Sequence, residues 1–285
     1  MLIGGFFLYV SYYGTDQMQV QRLLSAKDMG TVKQTLFFNG LMRFPITLLY
    51  CIMGLVIGTL AMTDSAFLAA VPMDKPDLLI PVFIRDYLPH GLIGILMVAI
   101  FSAAMSSISS AINSLSAATV EDLIIRGDEK KGENYLKYSK RAALAWGIIC
   151  ITLAFFTGDI AKTVIEAINK VGSVFYGPIL ATFIAAVAIK KVNATGAKAG
   201  LLTGVLVNVY LWQFVPDIFW FWWNAIGTFV TLMVAMVVSQ LSKGQPKVAD
   251  TLSFKVANYE PVKTITLILF FVFIVLVSYF IPQLI

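Results

Sequence analysis

Long apolar runs separated by short charged connectors recur along the chain, at residues 34–62, 91–120, 141–157, 163–189, 199–215, 218–241 and 262–282. Each is close to or above the roughly 20 residues a helix needs to cross a bilayer. An eighth run opens the chain as MLIGGFFLYVS and gives way early to YYGTDQMQVQR, residues 12–22. Because hydrocarbon offers backbone groups no hydrogen-bond partner, the runs are predicted to be helices. The alternating pattern of a lipid-facing barrel is absent. The expected architecture is therefore all-α and polytopic, with about eight transmembrane helices in one integral membrane domain spanning 1–285.

Composition agrees: 59% of the 285 residues are hydrophobic and 13% charged, with a mean hydropathy of +0.83, beyond the usual range of a soluble domain. Charge placement adds an orientation. With eight crossings, one set of connectors carries Arg22, Lys27, Lys33, Arg126, Lys130, Lys131, Lys137, Lys140, Arg141, Lys190, Lys191, Lys198, Lys243, Lys247, Lys255 and Lys263, 16 of the 21 cations. The other set carries only Lys75, Arg85 and Lys162. The positive-inside rule then puts both ends of the chain outside a plasma membrane. The net charge of +5 is accounted for by these loops, without a nucleic-acid partner.

Two cations, Arg43 and Lys170, remain inside the spans, where ionisable residues are functional candidates by default. Arg43 lies about 15 Å into its helix, so snorkelling or an internal pair competes with solute contact. Lys170 follows Glu166 by four residues, so an intrahelical ion pair competes with binding of an anionic solute. Gly172, Gly177 and Pro178 mark a place in the same run where the helix can bend, since proline removes a backbone bond that neighbours must replace.

Other chemistry is sparse. Cys51 and Cys150 lie in apolar runs with no zinc or disulfide spacing, and His90 is the only histidine, following Pro89 at a helix mouth. The first run lacks the basic start and small-residue cleavage site of a signal peptide. With one peripheral histidine and scattered acids, an embedded enzyme is not expected. The stretch 63–90 is long, contains proline, and is expected to include a short external helix able to act as a lid. The connector 126–141 reads as solvated.

The early break at Gly14 to Asp16 has two readings. A half-helix followed by polar residues is tolerated in a membrane where it lines a cavity, as in the discontinuous helices of secondary transporters. Alternatively residues upstream of Met1 complete an ordinary span, and Thr15 or Asp16 caps the helix QMQVQRLL. Both can hold together. Further on, Ala103, Ser106, Ser107, Ser110, Ala111 and Ser114 fall on one helical face. Close packing by small residues is one reading. The other is a sodium site, because Na⁺ takes hard oxygen ligands and the Ser106 and Ser107 hydroxyls lie one turn from the Ala103 carbonyl.

YYGTDQMQVQRLLSAKD and AAMSSISSAINSLSAATVEDL resemble the sodium:solute symporter family, the relatives of the sodium/glucose cotransporters. INKVGSVFYGPILATF, 168–183, and ATGAKAGLLTGVLVN, 194–208, support the resemblance. It implies a leucine-transporter-like fold, with 1–190 the second five-helix inverted repeat, 191–285 three additional helices, and the first repeat absent from this chain. It further implies Ala103, Ser106 and Ser107 as sodium ligands and Tyr12 as an aromatic inner gate, with Tyr13 beside it. Tyr9 and Arg43 fall where glucose-type members contact sugar with an amide and a lysine, and Ile168 where they use glutamine, departures that weigh against a sugar. The implied function is Na⁺-coupled transport of a small polar solute, such as a sugar, sugar acid or carboxylate, by alternating access, with Na⁺ as the coupling ion. The partners are the solute, the lipid bilayer and the first repeat. The alternative is a non-transporting fragment or a symporter-like sensor domain.

Overall fold

The computed structural model describes residues 2–72, 75–124, 133–156, 163–189, 191–242 and 260–284, with the side chains of 133 and 281–284 excepted. Asp74, Arg126, Lys130, Lys131, Lys162, Lys190, Lys243, Lys247, Lys255 and the first part of the 126–141 connector, 126–132, lie outside the described residues. Among the described residues there is no strand. The chain runs α1 (Leu2–Thr15), α2 (Gln17–Leu24), α3 (Met29–Thr63), α4 (Ser65–Ala70), a 3₁₀ turn (Pro76–Leu78), α5 (Leu79–Tyr87), α6 (His90–Ala118), a π-helical turn (Thr119–Ile124), α7 (Glu133–Ala154), α8 (Val164–Ala188), α9 (Ala194–Phe214), α10 (Phe221–Leu241) and α11 (Pro261–Leu284).

Among the described residues six helices, α3, α6 with its π turn, α8, α9, α10 and α11, are long and apolar enough to cross a membrane. The other two expected crossings fall on α1, which has 14 described residues, and on α7, whose first half carries Lys137, Lys140 and Arg141. At 35 residues α3 is about 50 Å long, well over the hydrocarbon thickness, so its ends reach polar surroundings. Asp28 caps its start by accepting from the Thr31 N–H at 2.7 Å.

The residues group into two compact units. The first comprises Met1–Arg22 and Pro89–Leu252. Its centre is a packed trio, α8, α9 and α10, with α1 laid on α8 and α10. Glycines let α9 and α10 approach to backbone distance: a Cβ added at Gly200 would stand 2.5 Å from the Thr231 carbonyl oxygen, and one at Gly196 2.4 Å from that of Ala235. This is small-residue packing of membrane helices, along Gly196, Gly200 and Gly204 at a spacing of four. In the same unit α6 turns back on α7. Ser116 donates to the Ser139 carbonyl at 2.8 Å, and the Trp146 indole N–H donates to Thr119 at the start of the π turn, also at 2.8 Å.

The second unit comprises Leu23–Leu88 and Ser253–Ile285. In it α3 lies beside α11, and Glu260 binds Lys263 at 2.6 Å and Lys33 at 3.8 Å. The short external helix expected in 63–90 is two helices, α4 and α5, folded on the end of α3 around Ile57, Ala61, Phe67 and Val82. Asp64 accepts from the Ala66 and Phe67 N–H groups and from the Tyr87 hydroxyl. The tyrosine bond, with those N–H groups, holds the Asp64 carboxyl below the usual carboxylate range, and the same contact raises the Tyr87 phenol.

Candidate functional site

The polar residues that interrupt the first apolar run build a turn. Asp16 stands between α1 and α2 and accepts from the Gln19 N–H at 3.1 Å, which starts α2. The Gln19 side chain folds back and donates to the Tyr12 hydroxyl at 2.5 Å. Thr15 returns its hydroxyl to the Ser11 carbonyl at 2.9 Å. Tyr12 and Tyr13 are half-buried with their rings edge to face at 5.2 Å, whereas Tyr9 is exposed. The capping role expected of Asp16 is therefore present.

The serine stripe on α6 divides in two. At its C-terminal end Ser114 is buried, its hydroxyl shared between the Gln21 side-chain oxygen at 2.9 Å and the Ser110 carbonyl at 3.0 Å. At its other end Ala103, Ser106 and Ser107 are exposed. Among the described residues the Ser106 and Ser107 hydroxyls have no hydrogen-bond partner, although Ser102 on the same helix bonds back to the Val98 carbonyl at 2.7 Å. Close packing of the stripe is thus met at Ser114 and not around Ser106. Two free hydroxyls beside a helix carbonyl, which keeps a second lone pair, are a donor set of the kind Na⁺ takes.

Lys170 is half-buried in α8. The ion pair expected with Glu166 is not among those formed by the described residues, because the four-residue spacing permits contact without compelling it. Arg43 belongs to the second unit, on an exposed face of α3, where its carbonyl accepts from Thr47 at 2.8 Å. The first unit therefore holds Tyr9, Tyr12, Tyr13, Ala103, Ser106, Ser107 and Lys170. Within it α1 is tied to α8 by Ser11, which donates to the Tyr176 carbonyl at 2.8 Å.

Sequence reasoning located the Gly177 and Pro178 break but missed what repairs it. Asn208 of α9 donates to the carbonyls of Ser173 and Val174, at 3.2 and 3.0 Å, and Thr228 of α10 adds a tie beside the break, its hydroxyl shared between the carbonyls of Asn224 at 2.7 Å and Gly177 at 3.1 Å. The available signal was a lone asparagine closing the glycine stripe of α9 one turn after Gly204.

The sodium:solute symporter family model matches residues 1–204. The chain belongs to the sodium:solute symporter family. This family member is similar to human sodium-coupled monocarboxylate transporter 1, 31% identical over 219 residues that make up 74% of this chain and 35% of the relative. It is also similar to a putative sodium-dependent multivitamin transporter of Drosophila melanogaster, 32% identical over 209 residues, 70% of this chain and 34% of that one. This family member thus spans about a third of the length of these relatives. Its fold matches that of a Na⁺-coupled sialic acid symporter solved in a substrate-bound outward-open state, with a TM-score of 0.69 and 21% identity over 85% of this chain and 49% of that chain. These relatives are named as transporters and symporters, not as enzymes, and the apolar helices make this family member a multi-pass membrane protein.

Proposed function

We propose that this chain is the second-repeat portion, 1–190, and the added helices, 191–285, of a plasma-membrane symporter that uses a sodium gradient to carry a small carboxylate. It works by alternating access together with a first repeat. The observation that carries the reading is the pair of unpartnered, exposed hydroxyls of Ser106 and Ser107 beside the Ala103 carbonyl, in a member of a sodium-coupled family. Sodium bound there favours the state that receives solute. Coupling requires that sodium bind that state better by a few kcal/mol, since equal affinity shifts nothing.

For the solute, Lys170 supplies a cation on a half-buried face of α8, and Tyr9, Tyr12 and Tyr13 on α1 supply aromatic and hydroxyl contacts. The names of the monocarboxylate relatives favour an anion over a sugar. Arg43 is a separate solute-contact candidate on α3. In vesicles carrying the full-length protein, an inward sodium gradient is expected to drive uptake of a short monocarboxylate. Lys170→Gln then raises the half-saturating solute concentration about tenfold, the cost of about 1.4 kcal/mol of lost charge pairing. Uptake indifferent to sodium rejects the coupling, and an unchanged half-saturation in Lys170→Gln removes Lys170 from the solute site.

The 16-to-3 charge split favours both ends of the chain outside. A reporter fused after Ile285 is expected to read as exterior and one inserted near Lys130 as cytoplasmic. Matching signals from the two positions would overturn the orientation.

A further inference from the structure

Pro178 sits in α8 without an N–H to give, so the carbonyl of Val174, four residues earlier, loses its helical donor. A side chain that α8 does not own replaces it. The Asn208 amide of α9 gives both of its hydrogens to α8, one to the Val174 carbonyl at 3.0 Å and one to that of Ser173 at 3.2 Å. Thr228 of α10 donates to the Gly177 carbonyl at 3.1 Å and Ser11 of α1 to that of Tyr176 at 2.8 Å. Ser11, Ser173 and Asn208 are 0% exposed, and Val174 and Gly177 are buried, so the amide and the carbonyls it serves lie away from solvent. The proline ring fills the groove between the glycines of α9 and α10, within 3.2 Å of where a Cβ at Gly204 would stand and 2.8 Å of one at Gly227.

The Asn208 oxygen is buried and has no partner among the described residues. Asn224 of α10 also keeps a buried, unpaired amide oxygen, but its nitrogen donates to the Ser173 hydroxyl and the Phe221 carbonyl, whereas both donations of Asn208 go to backbone carbonyls of α8 at the break. A buried amide with an unpaired acceptor is destabilising, and the two donations of Asn208 to α8 are what offset that cost. We propose that Asn208 is a positioning residue for transport. It stands in for the N–H that Pro178 lacks, and so sets the angle at which the two halves of α8 meet at the break. The transport half of the proposal rests on the alternating-access reading above; the hydrogen-bond half does not.

A double-mutant cycle separates the two. Pro178→Ala returns an N–H to residue 178 and leaves Asn208 redundant, whereas Asn208→Leu keeps the volume and removes both donors. In the purified protein, Asn208→Leu is expected to lower the thermal midpoint by about 3–8 °C. In the Pro178→Ala background the same substitution should lower it by less than half as much, whatever Pro178→Ala does alone through the gap it opens beside Gly204. Equal shifts in the two backgrounds would overturn the substitution of one donor for the other. In the full-length protein, Asn208→Leu is expected to cut maximal uptake about tenfold and leave half-saturating sodium and solute within about twofold, with partial recovery in the double mutant. Raised half-saturating concentrations at unchanged maximal uptake would overturn the positioning role. If the unaltered protein shows no sodium-driven uptake at all, the symporter reading fails, and the melting cycle still decides whether Asn208 replaces the missing N–H.

Discussion

Replacing Ser106 and Ser107 together by alanine is expected to raise the half-saturating sodium concentration of the full-length protein about tenfold or more. Two hydroxyl ligands are removed, and about 1.4 kcal/mol of lost ligation already amounts to a factor of ten. Folding and membrane insertion should survive, because these hydroxyls are exposed and hold no hydrogen bond among the described residues. Solute affinity measured without sodium should barely change, whereas sodium's enhancement of it should shrink, since coupling between two bound ligands is reciprocal. The matched control is Ser109→Ala, on the same helix, exposed, and off the stripe. Ser114, although on the stripe, does not serve as a control: its hydroxyl bonds Gln21, so its loss would loosen α6 from α2. A double mutant that is expressed normally and keeps its sodium dependence would return Ser106 and Ser107 to plain surface positions.

The second large effect is on stability. Gly177→Ala should lower the thermal midpoint in detergent by about 5–10 °C, as overpacking of about 2–3 kcal/mol does in a protein of this size. An added Cβ at Gly177 would meet the Asn224 carbonyl oxygen at 2.2 Å, and backbone cannot turn aside as a flexible side chain can. Relief requires α8 to move off α10, which would stretch the Thr228 bond to Gly177 at the same time. Gly94→Ala in α6 is the comparison, with nothing within 4 Å of its added Cβ, and it should leave the midpoint within about 1 °C. Similar shifts in the two variants would mean that α8 and α10 are not in backbone contact.

How much of this could be read from the chain depends on the range of the physics involved. The spans were legible because hydrocarbon imposes one rule on every residue of a run, and the six long helices fall on six of the eight predicted runs. The polar patch after Tyr13 was legible as a break, and Asp16 as its cap, because capping involves neighbours three residues apart. The serine stripe was visible from helical spacing alone. That its Ser114 end is engaged and its Ser106 end open was not visible, since that turns on Gln21, 93 residues away. The Glu166 and Lys170 pair failed in the opposite sense: local spacing suggested a contact that the two half-buried side chains do not make. The repair of the Pro178 break shows both sides. That some group must supply the missing donor followed from the proline, but that the group is Asn208 depends on how α9 lies against α8, which no local pattern encodes.

The seat of α1 bears on how the protein is made. Ser11 takes its partner, Tyr176, across 165 residues of chain, and Gly4 packs on Phe221, so close that an added Cβ would stand 2.4 Å from its carbonyl oxygen. During synthesis the ribosome must deliver α3, α6 and α7 before α8 and α10, on which α1 rests, exist. Until then Ser11 lacks the Tyr176 carbonyl, and Gly4 and Leu8, buried in the finished fold, lack the helices that cover them. α9 and α10 are different, since they are joined by a short turn and matched glycine to backbone. They can close on each other as they emerge, so the last-made helices of this unit are the first to assemble and its first-made helix is the last.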